Sequence, residues 1–75
     1  MSAKKELAKE IHLLEEEIKI LEVKRSRSQA SLIEALISRA TPDEDDIQFF
    51  RTFTAEIEVK RERLQNLVKQ LEAML

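Results

Sequence analysis

The chain has no cysteine, no glycine, no tryptophan and no tyrosine, and only one proline and one histidine. Without cysteine there are no disulfides, and a lone His12 cannot assemble the common zinc sites. A chain without glycine has few places to turn, which points to a small number of long helices. No apolar run approaches the length of a membrane span, and the opening "MSAKKELAKE" lacks the apolar core of a signal peptide. A soluble, cytoplasmic protein that makes no use of a membrane is therefore expected. With 13 basic and 15 acidic residues the net charge is −2, which gives no global attraction to nucleic acid. Any such binding has to come from a local patch.

Seventy-five residues make a single domain, 1–75. A core of that size supplies only about 3–5 kcal/mol, and small chains add disulfides, metal or oligomerisation to it. Oligomerisation is the device left to this one.

Leu7, Ile11, Leu14, Ile18 and Leu21 recur in alternating steps of four and three, the spacing of one buried helical seam. The only strong punctuation is "ATPDEDD", Ala40 to Asp46. There Thr41 is the expected N-cap of a second helix, with Pro42 at its first position and Glu44 completing a T-x-x-E capping box. Asp43, Asp45 and Asp46 add negative charge where the helix dipole favours it. This predicts an all-α fold: helix 1 over about 3–40, a turn over about 40–43, and helix 2 over about 42–75. At 1.5 Å per residue the helices are about 55 and 50 Å long. So short a connection predicts an antiparallel, coiled-coil-like hairpin, expected to dimerise into a four-helix bundle.

In helix 2 the seam reads Ile47, Phe50, Thr54, Ile57, Arg61, Leu64, Val68, Leu71 and Leu75, with Phe53, Leu67 and Met74 beside it. Folding about residue 43 sets positions whose numbers sum to roughly 86 at equal height. Ile18 then meets Val68, and Arg25 comes level with Arg61. The helix 1 seam is interrupted in "VKRSRSQAS", where Arg25 and Ser28 take its next two places. Arg25, Ser28 and Arg61 are expected to form a polar layer across the hairpin that acts as a register device. Its guanidinium groups reach outward to Glu22, Glu58 or Glu62. The seam is also expected to change phase there, resuming in Ile33, Leu36 and Ala40.

Three surfaces invite a functional reading. Lys24, Arg25, Arg27, Lys60, Arg61 and Arg63 form a basic belt suited to phosphate groups, although Glu22, Glu56, Glu58 and Glu62 interleave with it as an ion-pair network would. Near the turn, Leu32, Ile33, Leu36 and Ile37 face Phe49, Phe50 and Phe53, more apolar surface than two helices cover. Leu13 and Ile20, seven residues apart and with Val23 and Val59 near them in height, mark a second contact stripe. The acidic "DEDD" lacks the glycine and the spaced ligands of a calcium loop, and His12 has no partner arranged with it.

No residue pattern argues for catalysis or a cofactor, so the expected role is non-enzymatic. The favoured expectation is a protein–protein interaction module, an assembly factor, adaptor or small chaperone. Its partners would be a second copy of itself, as a homodimer, and another helical protein. The alternative is a small nucleic-acid-binding regulator using the basic belt.

Overall fold

A computed structural model describes residues 2–75. Two helices, α1 (Ala3–Ile37) and α2 (Glu44–Met74), pack side by side as an antiparallel hairpin measuring 56 × 16 × 15 Å. Among the described residues there is no strand, and no helix is long and apolar enough to cross a membrane.

Both helices start at a side-chain cap. Ser2 opens α1 by accepting the Lys5 N–H on its hydroxyl at 3.2 Å, which satisfies one of the four N–H groups a helix start leaves open. Asp43 opens α2: its Oδ1 accepts the Asp45 N–H at 2.9 Å. The cap is therefore Asp43 and not Thr41, so the expected Thr41–Glu44 capping box does not form. A carboxylate is a better cap than a threonine hydroxyl, adding charge at the positive end of the dipole.

Helix α1 ends at Ile37, before the expected residue 40, in a closure made without glycine. The Ala40 N–H reaches back to the Ala35 carbonyl at 2.9 Å, and the Arg39 N–H to the Leu36 carbonyl at 3.3 Å. These are the two bonds of a Schellman motif, whose pivot residue takes the left-handed conformation. Arg39 takes it here, at φ 57°, where a side chain costs about 1 kcal/mol relative to glycine. The Ser38 hydroxyl adds a bond to the Glu34 carbonyl at 2.6 Å.

The core is one seam in two clusters. Leu7, Ile11 and Leu67 are buried together, with Leu64, Val68 and Leu71 against them. Ile18, Leu21 and the fully buried Ile57 form the second, joined by Phe53 and Leu64. The pairs Ile11–Leu67 and Leu21–Ile57 each sum to 78, so the hairpin folds about Arg39 and each residue of α1 meets α2 about eight residues nearer the turn than a sum of 86 implies.

That register dissolves the expected polar layer. Arg25, half-buried, is level with Phe53, and the buried Ser28 is level with Phe50. Arg61 lies level with Glu17, far from Arg25. A register that faced Arg25 with Arg61 would oppose two cations, whereas this one sets a large ring against a small residue and brings carboxylates to cations. The α1 seam does not change phase either. Leu32 and Ala35 continue the original track, half-buried, while Ile33 and Leu36 are exposed.

Candidate interaction surfaces

The cations of the belt separate by helix. On α2, Lys60 Nζ donates to Glu17 at 2.7 Å, Arg61 Nη2 donates to Glu22 at 3.3 Å, and Arg63 pairs with Glu10. These bonds cross the hairpin and flank the core on both sides. All are substantially exposed, so each contributes about 0–1 kcal/mol, but together they favour one alignment over slipped ones. Lys60, whose side chain is 33% exposed against 52% for Arg61, occupies the seam position level with Ile18. Its aliphatic stem covers the core while the ammonium leaves to meet Glu17. Lys24, Arg25 and Arg27 lie on α1, and among the described residues no carboxylate stands within ion-pair distance of them.

Sequence reasoning placed Arg61 in the α2 seam where Lys60 belongs. Phe50, Ile57, Leu64 and Leu71 serve two tracks equally, one through Phe53, Lys60 and Leu67, the other through Thr54, Arg61 and Val68. The structure buries Leu67 and packs Phe53 into the core, which selects the first track. Glu10 and Glu17 were missed as partners because their role depends on register. Their seven-residue spacing beside the α1 seam was the available signal.

At the turn end, Leu32, Phe50 and Phe53 are half-buried between the helices, and the Phe49 and Phe53 rings stack at 6.1 Å with 19° between their planes. Ile33, Leu36, Ile37 and Phe49 stay exposed, Leu36 at 69% and Ile37 at 78%. The turn-end residues read from the sequence thus divide: three complete the hairpin and four face outward. Asp43 takes the cap that Thr41 was expected to supply, with Pro42 half-buried and Glu44 the first residue of α2.

Leu13, Ile20 and Val23 of α1 and Val59 of α2 are also exposed. Two shallow hollows lie on this side of α1. Lys5, Ala8, Lys9, His12 and Leu13 line one, and Glu22, Val23, Ser26, Arg27 and Ala30 line the other.

The hairpin exposes 5938 Å². A folded monomer of 8.8 kDa exposes about 4,800 Å² by the area–mass relation, so the excess is roughly 1,100 Å². Each partner in a standard interface contributes about 800 Å². Among protein-family models, curated proteins and solved structures, the comparisons gave no match to this chain.

Proposed function

We propose that this chain is a non-enzymatic protein–protein interaction module, an assembly factor, adaptor or small chaperone of the cytoplasm. It works as an oligomer of helical hairpins, a homodimer packed as a four-helix bundle, and offers its remaining apolar surface to another helical protein. The observation that carries this reading is the outward-facing set Ile33, Leu36, Ile37 and Phe49 at the turn. Exposed large apolar side chains gathered at one end of a small, highly charged chain mark a region that binds protein. The excess exposed area supports it as well, because it is larger than the area one partner contributes to a standard interface.

Nucleic-acid binding through the belt is the weaker reading, since Lys60, Arg61 and Arg63 are already matched by Glu17, Glu22 and Glu10. Binding that falls steeply with added salt would be its signature.

Sedimentation equilibrium at micromolar concentration tests the favoured reading: a dimer or larger species is expected, and a well-folded monomer of 8.8 kDa would refute its oligomeric part. Leu36→Glu should abolish association with a helical partner while leaving the helix content intact, because its side chain is mostly exposed.

A further inference from the structure

Helix α1 carries a second seam on the face opposite α2. Lys9, Leu13, Glu16, Ile20, Val23, Arg27, Ala30, Glu34 and Ile37 recur in strict steps of four and three. Each stands two residues beyond a position of the buried seam, hence about 200° around the helix. All of them are exposed. Five of the nine, Leu13, Ile20, Val23, Ala30 and Ile37, are apolar, and a helix with apolar residues on both faces suits a neighbour on each side. Only one neighbour, α2, lies within the chain.

The order of residues on this face says what covers it. Read antiparallel against a second copy of itself, with numbers that sum to 43, Ile20 meets Val23 and Leu13 meets Ala30. In the same register Glu16 meets Arg27 and Lys9 meets Glu34. Each apolar residue from Leu13 to Ala30 finds an apolar one, and each of the four charges finds its opposite. The two-fold axis passes between Leu21 and Glu22, so every pair occurs twice. Competing alignments lose this match. A slip of one heptad in one direction sets Glu16 against Glu34 and Val23 against Arg27. A slip in the other sets Lys9 against Arg27 and Ile20 against Glu16. A parallel pairing places each charge against itself.

The surface relief agrees with the same register. The hollow beside Leu13 has Lys5, Lys9 and His12 on its walls, at the height to which the second copy brings Glu34. The hollow beside Val23 has Arg27 on its wall, at the height of the second copy's Glu16, and its one carboxylate, Glu22, is already paired with Arg61. The area also suffices. Lys9 to Glu34 spans about 38 Å of helix, and the surplus exposure of the monomer exceeds what one side of a standard interface buries.

We infer that two copies of this chain pair through the outer face of α1, antiparallel about a two-fold axis between Leu21 and Glu22, with Glu16–Arg27 and Lys9–Glu34 ion pairs selecting the register. The inference rests on the self-association proposed above, names its face and replaces the four-helix bundle with four helices in a row, α2–α1–α1–α2, because the face used lies opposite α2. Ile33, Leu36 and Phe49 of the turn end, which are not on this seam, are then left free for another helical protein.

Charge exchange tests it, because both residues of a pair lie on the same chain. Glu16→Arg sets two arginines against each other at both symmetry-related sites, and Arg27→Glu does the same with two glutamates. Each single change should raise the dimer dissociation constant on the order of tenfold in sedimentation equilibrium. The double change Glu16→Arg with Arg27→Glu should restore it. Circular dichroism should show unchanged helix content throughout, since both side chains are exposed and Glu16 has only a 3.7 Å surface pair with Lys19. A dimer indifferent to both single changes overturns the inference and leaves the self-association reading standing, with the turn-end patch as its face. Failure of the double change to restore association overturns the antiparallel register. A wild-type monomer, which would leave this face to a different protein or to a lipid surface, overturns the inference and the self-association reading together.

Discussion

Lys60 of α2 donates to Glu17 of α1 at 2.7 Å from a position inside the hydrophobic seam. The bond ties the one cationic member of the α2 seam to a carboxylate at its edge, and so holds α2 rotated with Leu67 inward and Arg61 outward. It also marks where stability has been given up. The level shared with Ile18 is filled by a methylene stem where a branched apolar side chain would bury more area.

Lys60→Leu should therefore stabilise the hairpin, by about 1 kcal/mol from added apolar burial. Glu17 is 52% exposed and stays solvated without its partner, so no buried charge is stranded. Urea denaturation followed by circular dichroism is the measurement, and a midpoint that falls would show the ion pair to outweigh the packing.

Arg39 is the pivot of the chain reversal, in the left-handed conformation at φ 57°. Arg39→Gly removes the clash of a side chain in that region and should raise stability by about 0.5–1 kcal/mol, net of the greater freedom glycine gives the unfolded chain. Arg39→Val, branched next to the backbone, should lower it. Thermal melts of the two variants against wild type decide the matter.

The start of α2 separates two candidate caps. Asp43→Ala should cost about 1 kcal/mol through loss of the bond to the Asp45 N–H. Thr41→Ala should leave stability within about 0.5 kcal/mol of wild type, as an exposed residue outside the helix. The opposite order of effects in chemical denaturation would move the cap back to Thr41.

Ile57 is the residue most completely enclosed, at 0% exposure between Ile18 and Leu21. Ile57→Ala should cost about 2–4 kcal/mol, the usual penalty for a large-to-small change in a core. On a small chain that approaches the whole stability of the fold. The expected result is loss of the cooperative transition at room temperature, and a variant that still melts cooperatively near the wild-type temperature would show the core to lie elsewhere.

Much of this fold is legible without coordinates. The 3–4 spacing from Leu7 to Leu21 identified the buried face of α1, and all five of those residues are buried. The absence of glycine and the position of Pro42 indicated two long helices with one reversal between them. The rear stripe was visible in outline through Leu13 and Ile20, because periodicity records the angle of a residue around its helix.

What periodicity does not record is height along the partner. A helix of constant pitch looks the same at every turn, so its hydrophobic pattern is satisfied by several alignments that differ by whole heptads. The choice among them came from three-dimensional events. The Schellman closure at Arg39 placed the fold axis four residues before the expected centre. The bonds of Lys60, Arg61 and Arg63 to Glu17, Glu22 and Glu10 closed only in that register. The same events decided what comes level with the interruption in "VKRSRSQAS": Phe50 with Ser28 and Phe53 with Arg25. The sequence by itself determined which faces of α1 are apolar and where the chain turns, since both are local properties of a helix. Which residues meet across the hairpin was decided by the tertiary structure alone, because that depends on the geometry of the reversal and on charges brought together from opposite ends of the chain.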